Sequence, residues 1–246
     1  MNSSEQLFLL AAAILLVAFL YSSVGHAGAS GYIAVMTLFG LAPALIKPNA
    51  LILNILVASI ATWQFWRAGH FSWDLFWPFA ILSIPLAFVG GYVNLPTRAF
   101  KIIVGLVLLF SAARFLLQPS SDEVARTPSR PLAISLGAGL GLLSGLTATG
   151  GGIFLTPILL LMRWARTKTV AAVSALFILA NSLAGLFGNL ARTKTFPPFA
   201  IPLALAAVTG GALGSYLGSH RFPHTVIKRL LAVVLLIAGV KLIFTK

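Results

Sequence analysis

The sequence predicts an all-α polytopic membrane protein made of two inverted repeats, each of about five hydrophobic segments and eight to ten in all. Each repeat opens with a glycine-broken helical hairpin. Three observations carry this reading: a composition that only a bilayer can dissolve, a polar stretch that divides the chain near its middle, and two glycine-rich interruptions about 121 residues apart.

Composition comes first. The 246 residues are 59% hydrophobic and 9% charged, with a mean hydropathy of +1.00. So few charges cannot cover a soluble domain, and several apolar runs reach the ~20 residues a spanning helix needs. The expected location is the cell membrane, with multiple passes. Seventeen Lys and Arg against four Asp and Glu give a net charge of +13. These basic residues mostly punctuate the ends of apolar runs, which marks membrane topology rather than a nucleic-acid surface. With no cysteine, disulfides, thiol catalysis and cysteine metal sites are excluded.

The segments then follow in order. Residues 6–24 read as a retained helix, because MNSSEQLFLL carries Glu5 where a signal peptide would be basic. Segments 31–46, 49–67, 74–94 and 101–117 complete the first repeat, residues 1–117. WQFWRAGHFSWDLFW (63–77), which holds His70 and Asp74, reads as an interfacial aromatic belt. Residues 118–130, QPSSDEVARTPSR, form the only long polar stretch and read as a cytoplasmic linker. The second repeat, 131–246, contains segments 131–148, 152–163, 168–190, 197–217 and 226–244.

The halves match. An offset of 121 pairs Ser23 with Ser144, Ala27 with Ala148, Gly31 with Gly152 and Lys47 with Lys168. An offset of 120 pairs Pro78-Phe79-Ala80 with Pro198-Phe199-Ala200, and Gly90-Gly91 with Gly210-Gly211. Offset 127 pairs Pro96 with Pro223 and Lys101 with Lys228. Five segments per half is an odd number, so the second half would be inverted. Alternating sides gathers ten basic residues on one face and seven on the other, with the linker inside and Met1 and Lys246 outside. That count is the same for ten crossings and for six crossings plus two re-entrant hairpins.

The interruptions are SVGHAGASGYIA (23–34) and TATGGGIF (147–154). Each is followed by a segment short for ~30 Å of hydrocarbon: 152–163 has about 12 apolar residues, and 31–46 is cut by Gly40 and Pro43. Irregular backbone at membrane depth survives only when buried in protein or lining a cavity. Each break also begins a helix whose first N–H groups are unpaired and carry the positive end of the dipole. Gly25, Gly28, Gly31, Gly150, Gly151 and Gly152 would let an anion approach that backbone. The same glycines could serve close helix packing, the role expected of Gly90-Gly91 and Gly210-Gly211.

SVGHAGASGYIAV, followed by Pro43, Lys47 and Asn54, together with GLTATGGGIFLTPIL, resembles the sulfite exporter TauE/SafE (TSUP) family over essentially the whole chain. TATGGGIFLTPIL fits the usual motif. HAGASGYIAV departs from it at Ala29 and Ser30, where further glycines are common. The resemblance implies duplicated halves and transport, commonly export, of small anions such as sulfite, sulfonates or sulfoacetate. Nothing in composition or spacing identifies sulfur.

Around the breaks, His26 could hydrogen-bond an anion or titrate. Ser30, Thr147 and Thr149 could donate hydroxyls or merely satisfy backbone carbonyls. Asn54 and Asn181, buried amides in apolar runs, serve as helix-to-helix glue or as substrate contacts. Lys47 and Lys168 either snorkel to the headgroups or form an electrostatic vestibule for anions. No Walker motif, paired carboxylates, catalytic triad or metal spacing appears, so no catalytic residue, metal or cofactor is expected. Of the four acids only Asp74 lies near a membrane segment, at its end, which argues against a carboxylate proton relay or sodium cage. The expected function is a secondary transporter with a small anion as partner, no nucleic acid, and room for a homo-oligomer. An anion channel of the same architecture is the alternative, and an intramembrane enzyme a remoter one.

Overall fold

A computed structural model of the chain describes residues 3–93, 126–194 and 201–223, with scattered positions from 105 to 124 and from 225 to 240. Segments 101–117 and 226–244, most of the linker, and the chain ends therefore lie largely outside the described residues. The protein is all-helical, with α1 Ser3–Ser22, α2 Ala29–Leu38, α3 Pro43–Arg67, α4 Trp73–Tyr92, α5 Arg130–Thr147, α6 Gly152–Leu161, α7 Thr167–Thr193 and α8 Ile201–Tyr216. Alpha 8 ends in a π-turn, Leu217–Arg221.

Among the described residues, five helices are long and apolar enough to cross a membrane: α1, α3, α4, α7 and α8 with its π-turn. The two short helices, α2 and α6, have 10 residues each, or about 15 Å of rise. Two adjoining boundaries differ from the sequence expectation: the second segment ends at Leu38 rather than at 46, and the third moves with it. The third segment begins at Pro43 rather than near 49, because α2 stops at Leu38, Gly40 turns left-handed at φ 75°, and Pro43 opens α3. Proline at a helix start loses nothing, since that N–H has no intrahelical acceptor. Glu5 also falls inside a helix, in the first turn of α1.

The most buried spans, α3 and α7, form the centre. Leu51 approaches Gly185, Asn54 bonds Ser182, and Phe65 clusters with Ala171, so these helices run antiparallel. Alpha 1 packs beside α8, and α4 beside α5, through two glycine ladders. A Cβ on Gly137, Gly141 or Gly145 would overlap the carbonyl oxygens of Phe79, Ser83 and Ala87 in turn. On Gly210, Gly214 or Gly218 it would overlap those of Leu15, Phe19 and Ser23. Bare glycine at every fourth position lets the backbones touch, which in lipid replaces the hydrophobic drive available in water. Both pairs advance in step, so α4 runs parallel to α5 and α1 parallel to α8.

Gly90 faces the Leu142 carbonyl, Gly91 that of Gly185, and Gly211 the Val57 side chain, so the glycine pairs serve packing. Toward the surrounding lipid the bundle presents Phe8, Leu16, Ile81, Phe88, Leu205 and Leu213. Trp63, Trp66, Trp73 and Trp77 are exposed where α3 turns into α4, with Trp73 stacked on Trp77. That is the position of an interfacial belt.

Candidate functional site

The first break forms because α1 consumes its own last carbonyls. Ser23 Oγ donates to Leu20 O (2.7 Å), and the amides of Val24 and His26 both return to Tyr21 O. Gly28, at φ 103°, then caps α2, a conformation that suits glycine alone. Tyr32 fastens the turn by donating its hydroxyl to Ala27 O (2.5 Å). The second break ends α5 at Thr147, whose hydroxyl meets Leu143 O (2.8 Å) and Thr149 Oγ1 (2.7 Å), and Gly151 at φ 79° caps α6. No side chain caps α2 or α6 in the usual way.

The two breaks meet at Asn54, which is fully buried. Its Oδ1 accepts the Ala29 amide of the first break (3.1 Å). Its Nδ2 donates to Ser182 Oγ (2.9 Å) and, more weakly, to Thr149 O of the second (3.4 Å). Asn54 lies about 16 Å along α3, close to half of a ~30 Å hydrocarbon core. Beside it is a cleft of about 180 Å³, its mouth included, lined by Tyr21, His26, Gly28, Ser30, Thr149 and Ile153 among others. The amides of Ser30 and Gly31 fall in the first turn of α2, and those of Gly152 and Ile153 in the first turn of α6, where helices have no acceptors of their own. Two positive helix ends therefore flank one opening.

His26 is 2% exposed, and its Nε2 pairs with Thr156 Oγ1 at 2.8 Å. Its Nδ1 has no hydrogen-bond partner, nor does the buried Ser144 Oγ beside Gly151. Tyr21 and Ser30 join hydroxyls at 3.0 Å across the cleft wall.

Of the residues singled out from the sequence, the structure thus gathers His26, Gly28, Ser30, Asn54, Thr149 and Gly150 around one point. Gly150 stands against the Asn54 amide and Ser182. The other glycines give their bare faces to protein: Gly25 to the Ala171 backbone, Gly31 to Val17, Gly151 to Phe177 and Gly152 to Ile178. Asn181 is not brought to the cleft; it accepts from Ser83 Oγ (2.7 Å) and donates to Phe177 O (2.8 Å), tying α7 to α4. Thr147 stands one step behind Thr149. Sequence reasoning missed Tyr21, Thr156, Ser174 and Ser182, since a hydroxyl in an apolar run carries no signal of its partner.

Lys47 and Lys168 sit at opposite ends of the antiparallel α3–α7 pair. Lys47 interacts electrostatically with Arg192 near the end of α7. Lys168 Nζ donates to Ser219 O (3.1 Å), a carbonyl that His70 Nε2 also reaches (3.2 Å). His70, in the turn between α3 and α4, is held below the usual histidine range, chiefly by burial and further by Lys168 and His220, against the opposing Ser219 bond. Its folded pKa is depressed, so the unfolded chain binds more protons between the two pKa values and stability falls as pH drops below about 6.5. In His70→Gln, which can still donate to Ser219, the fall in thermal midpoint between about pH 7 and pH 5 should be shallower than in the parent protein. An identical slope would remove His70 from the account.

The family model described as sulfite exporter TauE/SafE matches residues 10–242. The chain belongs to the TauE/SafE family. It is 40% identical over 241 residues to "Probable membrane transporter protein y4hK" of Sinorhizobium fredii, covering 96% of this chain and 97% of that protein. No solved structure matches it. Membership in TauE/SafE and the name of this relative both indicate a membrane transporter rather than an enzyme, in a multi-pass membrane protein.

Proposed function

We propose that this TauE/SafE protein is a secondary transporter that exports small anions such as sulfite, sulfonates or sulfoacetate, binding them in the cleft between the two glycine breaks. One observation carries the reading. Asn54 ties the start of α2 to the second break, and beside it an opening is flanked by both short-helix starts and by a histidine with a free ring nitrogen. An anion leaving water needs donors to replace its hydration, and free amides at helix starts supply them without a buried cation. The family model's own description names sulfite.

The antiparallel α3–α7 pair supports an inverted duplication, whose halves we place at 1–117 and 131–246, with the linker at 118–130 read as cytoplasmic from the distribution of basic residues. Exchanging α1–α4 for α5–α8 turns the α1–α8 contact into α5–α4, and leaves the antiparallel α3–α7 pair in place. Lys47 and Lys168, paired by the repeat, then mark vestibules on opposite faces. Cysteine placed at Ser121, which lies outside the described residues, should react with an impermeant thiol reagent only after cells are opened. Labelling in intact cells would invert the orientation.

Reconstituted into proteoliposomes, the protein should show saturable counterflow of labelled sulfite that sulfonates or sulfoacetate compete away. Conductive, non-saturating flux that tracks the anion gradient would instead identify a channel, and absence of any anion flux would sink the proposal.

A further inference from the structure

A pair of hydroxyls stands at each break, and the two pairs are not equivalent. At the second break Thr147 Oγ1 lies 2.7 Å from Thr149 Oγ1 and 2.8 Å from Leu143 O. Thr149 can donate to Thr147 and Thr147 to Leu143 O, so both hydrogens find acceptors. At the first break Tyr21 Oη lies 3.0 Å from Ser30 Oγ, and neither hydroxyl has another partner among the described residues. Two hydrogens share one bond there. Whichever way the bond runs, one hydrogen is left over on a residue that lines the cleft.

Exposure and acidity decide which hydrogen that is. Tyr21 is 6% exposed, whereas Ser30 is half-buried. A spare hydrogen on Tyr21 would belong to a buried group, while on Ser30 it belongs to the more open one. A phenol is also the stronger acid of the two and so the better donor. The bond therefore runs from Tyr21 to Ser30. Gly31 makes this reach possible. A Cβ there would overlap Val17 and crowd the Tyr21 ring at 3.3 Å, so bare glycine lets the end of α1 lie against the start of α2. The phenol hydroxyl then arrives one residue away, at Ser30.

We propose that Ser30 is the side-chain donor to the anion in the cleft, and that Tyr21 is its positioning residue, filling a Ser30 lone pair and leaving the Ser30 hydrogen for the ligand. The proposal rests on the anion reading of the cleft. Ser30 then offers a hydroxyl beside its own amide and that of Gly31, both in the first turn of α2, where a helix has no acceptors of its own. The Ala29 amide is not available, because Asn54 Oδ1 takes it. A hydroxyl already held by a neighbour loses less freedom when a ligand arrives.

Sulfite titration by calorimetry tests both roles. Ser30→Ala should lose about 10- to 100-fold in affinity, the range of a hydrogen bond to a charged group. Tyr21→Phe keeps the ring against Gly31 and should lose about 3- to 10-fold, acting through Ser30. In a Ser30→Ala background the same change should therefore cost less than about 2-fold. Parent-like affinity in Ser30→Ala overturns the donor. An equal loss from Tyr21→Phe in both backgrounds overturns the positioning role, since a merely structural tyrosine acts whatever stands at 30. The absence of cysteine elsewhere in the chain gives a readout independent of the hydrogen bond. In Ser30→Cys the thiol should be alkylated by iodoacetamide in the folded protein, and methanesulfonate should slow the reaction. No alkylation, or the same rate with methanesulfonate present, sets residue 30 apart from the ligand and overturns the proposal. If the parent protein binds neither sulfite nor methanesulfonate, the anion reading has failed and this proposal with it. A parent that binds beside an unaffected Ser30→Ala sinks this proposal alone.

Discussion

Gly141→Ala should remove most of the folded protein, while Gly139→Val, two residues away on the same helix, should leave it intact. At position 141 even one methyl would overlap the Ser83 carbonyl oxygen of the parallel neighbour α4; at 139 nothing lies within 4 Å. The first change forces α4 and α5 apart along the whole ladder, since Gly137 and Gly145 make the same contact one turn to either side. Overpacking of an ordinary core costs about 1–3 kcal/mol, and a backbone obstacle has no rotamer with which to yield. Against a total stability of about 5–15 kcal/mol, such a loss decides the yield. Gly91→Val, aimed at the Gly185 carbonyl, belongs to the same class. Fluorescence-detected size exclusion with a thermal ramp checks all three, and Gly141→Ala eluting and melting like the parent would refute the ladder. Gly31→Val is expected to fail in the same way, because its side chain would meet Val17 rather than the cleft. It therefore cannot separate binding from folding.

Asn54→Leu should abolish transport and lower stability. Leucine matches asparagine in bulk but leaves the Ala29 amide, the Thr149 carbonyl and the Ser182 hydroxyl without their partner in a fully buried place. Unsatisfied buried groups cost about 1–3 kcal/mol each, with part recovered by local relaxation. Asn54→Asp discriminates further. A carboxylate still accepts from Ala29 but cannot donate to Thr149, and its charge faces the same helix ends that would hold the substrate. Asp should therefore eliminate sulfite binding even if the protein folds. Asn181→Leu should lower stability without changing affinity, because Asn181 bonds Ser83 and Phe177, away from the cleft. If Asn54→Leu transported normally, the junction of the two breaks would not be the site.

Much of this was legible from residues alone. The short helices after each break follow from glycine and proline placement, and α6 begins at Gly152 as the sequence requires. Asn54 and Asn181 could not be told apart by sequence. Each is an amide in an apolar helix, and which one faces the breaks depends on how α3 and α7 cross. The glycine ladders at 137, 141 and 145 and at 210, 214 and 218 were not singled out from the sequence, because the carbonyls that these glycines face belong to other helices.

By itself the sequence determined that the chain is a multi-pass helical membrane protein, that it breaks twice, and to which family it belongs. These depend on local composition, backbone preference and motif, which act over a few residues. Only the tertiary structure decided that Asn54 joins the two breaks, that most break glycines press against protein, and that His26 is held from behind by Thr156. Those outcomes depend on contacts between residues 25 to 130 positions apart, and in lipid such contacts are selected by backbone fit and hydrogen-bond satisfaction, neither of which leaves a periodic trace in the chain.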